Sequence, residues 1–174
     1  MSVDIDTCIR GRKSIRAFKA EPLDDRVIEE ALEMANLAPS AGNLQARDFI
    51  VVKNEDTKRA LAEAAYDQDF VSEAPVVIVF CANLKRIGHY GERGRTLYCL
   101  QDSAAAVENM LLYLHGKGVG SVWVGAFDEE KARKVLEVPS ESRPVAIIPI
   151  GYPARPGGKT GRMRQESLVH REKW

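Results

Sequence analysis

The segment that most constrains the fold covers residues 97–115, which are apolar on nearly every face of a helix. Six of its apolar residues recur three and four positions apart, which is the spacing of one helical face: Leu97, Leu100, Ala104, Val107, Leu111 and Leu114. The other faces carry further alanine, leucine and methionine side chains. Because such a helix presents apolar surface in every direction, it must be buried in a core or at a subunit interface.

Helix and strand patterns alternate on both sides of this segment. Helical spacing predicts four more helices, over residues 4–11, 24–37, 54–66 and 128–136. The last three of them begin at an Asp or Asn that can cap the first turn. Apolar runs predict strands over residues 49–53, 76–81, 119–124 and 145–150. The strand 76–81 is apolar on both faces and should be central, whereas Pro149 indicates an edge strand or a bulge near the end of the last strand. The polar stretch 83–96 is predicted to be a loop or lid.

Size and charge limit the class of protein. The 174 residues fit one domain over 1–174, and the balance of 25 Lys+Arg against 25 Asp+Glu argues against a surface that coats nucleic acid. No apolar run approaches the roughly 20 residues of a membrane-spanning helix, and the N-terminus lacks the apolar region of a secretory signal. Three scattered cysteines fit a reducing compartment. We therefore expect a cytoplasmic protein without nucleic-acid, membrane or metal partners, since the histidines also lack metal-ligand spacing.

Two basic segments stand out against the neutral total. Residues 10–19 contain five Lys or Arg and no acid, and residues 151–174 contain six Lys or Arg and two acids. Two such segments can meet over one anionic ligand such as a phosphate. They can equally be two separate, solvated surface patches, and charge alone does not decide between these alternatives.

Known catalytic patterns are missing from the chain. The glycine-rich stretch 116–120 follows a helix and precedes a strand, which is the reverse of a dinucleotide-binding turn. Residues 158–160 (GKT) look like the end of a P-loop but lack its strand-to-helix context. No nucleophile or acid–base constellation is present either. We therefore expect no catalytic side chain, and an enzyme built on this chain would use a cofactor's chemistry.

Four segments carry a specific pattern and together span nearly the whole chain. They are residues 12–18 (RKSIRAF), 38–45 (APSAGNLQ), 118–125 (GVGSVWVG) and a C-terminal set of 151–153 (GYP), Arg162 and 168–170 (LVH). In this order and spacing they resemble the nitroreductase-like family of FMN-dependent oxidoreductases. The resemblance implies an α+β fold with three α-β-α layers around a mostly antiparallel four-stranded sheet. It also implies an intertwined homodimer with FMN at the interface, in which the tail adds a strand to the partner's sheet.

The same resemblance assigns site residues, all of them cofactor-binding. For the phosphate end of FMN it implies Arg12, Ser14 and Arg162, assisted by Lys159, with Lys13 along the cofactor and Arg16 at the N1–O2 edge of the ring. For the ring it implies contacts through Trp123, Val124 and Gly125 and an amide from Gln68. Pro39, Ser40 and Asn43 would reach the flavin of the other subunit.

The resemblance further implies a ping-pong reaction. NADH or NADPH would give hydride to flavin N5, and a small acceptor such as a nitroaromatic or a quinone would then take it. The alternatives are a family member with a non-nitro reaction, such as reductive dehalogenation or flavin fragmentation, and a non-catalytic flavin-binding module. The chain departs from the family pattern at Ala46 and Arg47, which replace a proline and an aromatic or apolar residue. Arg47 is therefore expected to attract an anionic substrate.

Overall fold

A computed structural model describes residues 4–158 and 160–174 of the chain. Its strands are β1 (Arg47–Val52), β2 (Val76–Asn83), β3 (Gly120–Ser121) and β4 (Ser142–Gly151), which form an antiparallel sheet in the order β1-β2-β4-β3. The α-helices are α1 (Ile5–Gly11), α2 (Asp25–Asn36), α3 (Glu55–Ala64), α4 (Phe70–Glu73), α5 (Gly91–Arg93), α6 (Cys99–Gly116) and α7 (Glu129–Val135). In this part of the chain no helix has the length and apolarity needed to cross a bilayer.

The sheet separates two hydrophobic cores, and β2 contributes to both. Alternate residues Val76, Ile78 and Phe80 pack in a core with α2 and α6. The residues between them, Val77, Val79 and Cys81, pack in a second core with α3, α4 and α7. Since successive side chains of a strand point to opposite faces, helices cover both faces of the sheet. The expected three-layer α-β-α architecture and the central position of β2 are confirmed.

The helix starts follow from local capping. Asp24 accepts a hydrogen bond from the backbone N–H of Arg26 at 2.9 Å, and Asn54 and Asp128 accept from backbone N–H groups three residues on, each at 3.0 Å. These bonds satisfy donors that the first helical turn leaves free. The predicted starts of α2, α3 and α7 are therefore confirmed. The end of α3 comes earlier than predicted, because Tyr66 and Asp67 adopt left-handed backbone angles.

Helix α6 lies against the sheet and buries one of its faces, including Val107, Met110, Leu111 and Leu114. Leu112, on another face, is only half-buried and belongs to neither core. The prediction of a buried helix is thus confirmed for one face. The remaining apolar surface is available for an interface.

The third strand is shorter than predicted, and the assignment of Pro149 to an edge or to a bulge near the end of β4 is wrong. Strand β4 lies between β2 and β3, and its bulge falls at the other end, opposite Phe80 and Cys81. After β3 ends, Val124 pairs once more with Ile147. The common register places Pro149 opposite Val122, within this gap. Because proline has no N–H, it cannot donate the ladder hydrogen bond there, which explains the interruption.

The prediction of a loop over 83–96 is also wrong for most of that range. A 3₁₀ turn (Gly88–Tyr90), the single turn α5 and a π-helix (Gly94–Tyr98) lead directly into α6. Gly94 makes this packing possible, because a Cβ there would lie 2.8 Å from the carbonyl oxygen of Ile87. The segment has no apolar periodicity, so its helical turns depend on a tertiary contact that the sequence pattern does not reveal.

Candidate functional site

The two basic segments lie side by side. Ile15 N–H donates to the carbonyl of Ser121 at 2.9 Å, which extends the sheet beyond β3 by a parallel bridge. Further along, the backbone N–H of Lys19 donates to Tyr152 and that of Ala154 donates to Ala17, both at 2.9 Å. The C-terminal segment is thus bonded to the N-terminal one. The charge pattern left open whether the two basic segments meet or form separate patches. The structure supports the first alternative.

A glycine allows this close approach. A Cβ at Gly157 would lie 2.9 Å from the Ser14 carbonyl oxygen and 2.9 Å from the Lys13 Cβ. Contacts of this length are shorter than van der Waals separation, so a larger residue would push the C-terminal segment away from residues 13–14. The position therefore fixes how closely the two basic segments pack.

Between these segments lies an open cleft with a volume of about 550 Å³. Five of the residues predicted for the site line it: Arg12, Lys13, Ser14, Arg16 and Arg162. Arg10 and Thr160 also line it and were not predicted. Lys159, the other residue expected at this end, lies outside the described residues. The described lining contains five cationic side chains, two hydroxyls and no carboxylate, which is the donor set that a phosphate dianion requires.

Local contacts orient the two arginines from opposite ends of the chain. The Arg12 Nε lies 3.8 Å from a carboxylate oxygen of Glu108 on α6. Arg162 Nη1 donates to the Thr160 hydroxyl at 2.9 Å and to the Gly161 carbonyl at 3.0 Å. A guanidinium has five N–H donors, so both side chains keep donors for an anion.

His115, at the end of α6, lies close enough to two cations of the cleft for their charges to affect its pKa. Burial lowers the pKa of His115, and the nearby charges of Arg12 and Lys13 lower it further. Its imidazole is therefore neutral at pH 7. The sequence did not predict this residue as part of the site. Its pKa depends on the local charge.

The residues predicted to contact the ring from the same subunit do not line the cleft. Val124 is held in the sheet by two hydrogen bonds with Ile147, at 2.9 and 3.0 Å, while Trp123 and Gly125 are exposed. The Gln68 amide donates to the carbonyls of Ala65 and Ala126, at 2.7 and 3.2 Å. Gln68 therefore lies beside residues 123–126. Its side-chain nitrogen makes both of these bonds, and its side-chain oxygen takes part in neither.

Arg16 connects the two parts of the site. It lines the cleft, and its guanidinium carbon lies 5.8 Å from the centre of the Phe70 ring, two residues after Gln68. This contact links the cleft to the segment that contains Gln68. Contact of these residues with a flavin stays a prediction.

Pro39, Ser40 and Asn43 lie elsewhere in the same chain, and none of the three lines the cleft. They follow α2, where the Ala41 N–H donates to a carboxylate oxygen of Asp102, in the first turn of α6, at 2.8 Å. This placement is compatible with the expectation that they reach the flavin of a second copy.

The prediction that Arg47 attracts an anionic substrate is wrong, because only 3% of this residue is exposed. Strand β1 begins at Arg47, two residues earlier than predicted, and the side chain turns into the space between α2 and α6. There it donates to the carbonyls of Asn36 and Ala38, both at 2.8 Å. No signal in the local sequence distinguishes such a buried arginine from an exposed one.

Several known proteins are similar to this chain over most of its length. The nitroreductase family matches residues 9–68 and 64–152 of the chain. The NADH dehydrogenase of Thermus thermophilus is 33% identical over 195 residues, which cover 96% of this chain and 95% of that protein. An FMN reductase (NADPH) of Bacillus subtilis is 28% identical over 184 residues, covering 98% of this chain and 74% of that protein.

Solved structures share the fold. The nitroreductase NfrA1 of Bacillus subtilis superposes with a TM-score of 0.91 at 26% identity, over 98% of this chain and 74% of that one. The NADPH:FMN oxidoreductase of Vibrio harveyi, solved with NAD+, gives a TM-score of 0.91 at 24% identity, over 98% of this chain and 77% of that one. The fold and the family match together show that the chain belongs to the nitroreductase family.

Proposed function

We propose that this protein is an NAD(P)H-dependent oxidoreductase that binds FMN in the cleft between its two basic segments. The observation that carries the proposal is the cleft itself, whose described lining brings together five cations and two hydroxyls and includes no carboxylate. Two of the relatives are named as an NADH dehydrogenase and an FMN reductase (NADPH). Both names describe redox reactions, which are the class of reaction that a flavin bound in this cleft would carry out.

Arg12, Ser14 and Arg162 would hold the phosphate. A charge-assisted hydrogen bond contributes about 1.5–3 kcal/mol, so two arginines that converge on one dianion account for a large share of the binding free energy. The Ser14 hydroxyl adds a neutral donor at the same place. Lys13 lies along the cleft and would add charge without fixed geometry.

Arg16 would act at the other end of the cofactor. Bound FMN would supply the acceptance and return of hydride at N5, which no described side chain provides. Arg16 would place a positive charge near the N1–O2 edge, where negative charge develops on reduction, and such preorganised charge is a strong form of catalytic stabilisation. The backbone around Trp123 and Gly125, with Gln68, would position the ring.

A homodimer would complete the site. Residues 160–174 are exposed wherever they are described, and they include the apolar side chains of Met163, Leu168 and Trp174. Exposed apolar surface of this extent marks an interaction site. In the dimer that we propose, the tail would lie on the partner, α6 would face its counterpart, and Ser40 and Asn43 would reach the partner's flavin.

The reaction would proceed by ping-pong, with NADH or NADPH and then a small acceptor binding over the same face of the ring. A nitroaromatic compound or a quinone is the acceptor class that we propose. This chain would bind and orient both partners. The proposed reaction needs no side-chain acid, and the sequence contains no acid–base constellation.

Anaerobic reduction of the FMN-loaded protein tests this function. We expect the visible flavin band to bleach when NADH or NADPH is added, and to return when a quinone or nitroaromatic compound follows. A bound flavin that neither nucleotide reduces would contradict the proposed enzyme and favour a flavin-binding module. A protein that binds no FMN would contradict both.

A further inference from the structure

The segment that follows α2 has an unusual backbone. Three residues within it adopt left-handed φ angles: Gly42 at 57°, Asn43 at 56° and Gln45 at 47°. Residues other than glycine adopt this conformation at a free-energy cost and keep it only where the surroundings impose it. Hydrogen bonds within the segment 38–45 hold part of this conformation, since the Gln45 N–H donates to the Ser40 hydroxyl at 3.0 Å and the Gln45 amide donates to the Asn43 side-chain oxygen at 2.7 Å. A further constraint acts on the segment from outside. Ser40 and Asn43, which we propose for the partner's flavin, lie in it.

Arg47 supplies part of that constraint. Its Nη2 donates to the carbonyls of Asn36 and Ala38, both at 2.8 Å. Its Nη1 lies 3.4 Å from the carbonyl oxygen of Pro39 and 3.3 Å from that of Asp102. One planar guanidinium thus connects the end of α2, the start of the left-handed segment and α6. A lysine could not reproduce this fork of donors.

Asp102 acts from the opposite side. It is 4% exposed, and one carboxylate oxygen accepts the Ala41 N–H at 2.8 Å. A buried charge is costly unless it is compensated, and Arg47 is the buried cation beside it. The two side chains therefore enclose the segment, one through its carbonyls and the other through its amide.

We propose that Arg47 and Asp102 are positioning residues that fix the segment 38–45 in the conformation in which Ser40 and Asn43 meet the partner subunit's flavin. The inference rests on the proposed function for the identity of the ligand. The constraint on the segment stands on the hydrogen bonds of the single chain. We propose no contact of either residue with the cofactor.

The test compares Arg47→Met with a matched control, Lys58→Met. Lys58 is also a buried cation, 2% exposed, and it donates to the Ala74 carbonyl at 2.7 Å, in the other core and away from the segment. Dissociation constants for FMN and riboflavin are measured on both folded variants. Amide hydrogen exchange of residues 38–46 is measured without flavin.

If the ordered conformation falls to about a tenth of its population, the dissociation constants rise about tenfold. We expect Arg47→Met to weaken FMN and riboflavin by this same factor, because the segment would contact the ring and not the phosphate. Exchange of residues 38–46 should accelerate by at least this factor, because exchange follows the open population, which would rise to about nine-tenths. Lys58→Met should lower the melting temperature and leave both measurements at their wild-type values.

Asp102 provides a second test, which also decides the matter if Arg47→Met does not fold. Asp102→Asn keeps an oxygen for the Ala41 N–H and should bind both flavins nearly as the wild type does, whereas Asp102→Leu should weaken both. Wild-type affinity and exchange in folded Arg47→Met or Asp102→Leu would overturn the proposal, as would a loss confined to FMN. If the wild type binds neither flavin, the proposed function fails, and hydrogen exchange alone then decides whether the two residues hold the segment.

Discussion

In the proposed site, Arg16 would have a different role from the arginines that would hold the phosphate. It lines the cleft and contacts Phe70, two residues after Gln68. A cation at the N1–O2 edge would favour the reduced, anionic flavin over the oxidised one. It should therefore affect the reduction potential more than the selectivity for a phosphate.

We expect Arg16→Ala to lower the reduction potential of bound FMN and to leave the ratio of FMN to riboflavin affinity near that of the wild type. Arg16→Lys, which keeps the charge, should restore most of the potential. Potentiometric titration of the three proteins checks this. An unchanged potential in Arg16→Ala would show that the guanidinium lies away from the N1–O2 edge.

His115 gives a prediction about pH. Burial first, and then Arg12 and Lys13, lower its pKa, so the folded chain takes up this proton less readily than the unfolded chain does. The contribution of His115 to the free energy of unfolding should therefore decrease as the pH falls below about 6.5, the pKa of an unperturbed histidine.

FMN should raise the pKa of His115 towards its ordinary value, because the phosphate offsets the charges of Arg12 and Lys13. Riboflavin has no phosphate and should leave that pKa unchanged. Titration of the His115 ring protons by NMR, with each flavin, makes the comparison. An equal response to both flavins would mean that the phosphate does not lie near these two cations.

At the scale of elements, α6 has two neighbouring leucines in different environments. Leu111 is buried in the core against the sheet, and Leu112 is half-buried outside both cores. We expect Leu112→Glu to give a folded chain that fails to dimerise, since a charge buried at an interface costs several kcal/mol. Leu111→Glu should unfold the chain itself.

Sedimentation and circular dichroism together distinguish these two outcomes. Leu112→Gln, which has nearly the size of glutamate and no charge, is the intermediate control. A fully dimeric Leu112→Glu protein would show that this face of α6 does not form the interface.

The elements that the sequence predicted well are those whose signals are local. Asp24 caps its own helix, and β2 is apolar at every position, so neither depends on a distant partner. The interruption of β3, in contrast, depends on Pro149 in another strand, and the turns before α6 depend on the fit of Gly94 against Ile87. Contacts of these two kinds leave no periodic pattern.

The residues of the candidate site also differ in whether the sequence could predict them. Arg12, Ser14 and Arg162 could be proposed from motifs, because residue type and spacing carry the resemblance. Arg47 could not, since its burial results from three segments that converge on one guanidinium. The contributions of Arg10 and Thr160 to the cleft likewise appear only once the two basic segments are aligned.

For the whole molecule, the charge distribution is the feature that the fold explains. The chain is neutral overall, yet it bonds its two basic segments to each other through the backbone. Bringing like charges together is unfavourable unless an anion compensates them. We therefore expect Arg12 and Arg162, from opposite ends of the chain, to hold one phosphate.

Titration of FMN and riboflavin against the wild type, Arg12→Ala and Arg162→Ala tests this claim most directly. Arg164→Ala is the control, because it lies in the same exposed segment and does not line the cleft. Loss of one charge-assisted bond should weaken FMN by roughly 10- to 150-fold and leave riboflavin nearly unchanged, while Arg164→Ala should bind both as the wild type does. If Arg162→Ala weakens both flavins equally, the two ends of the chain do not meet over a phosphate.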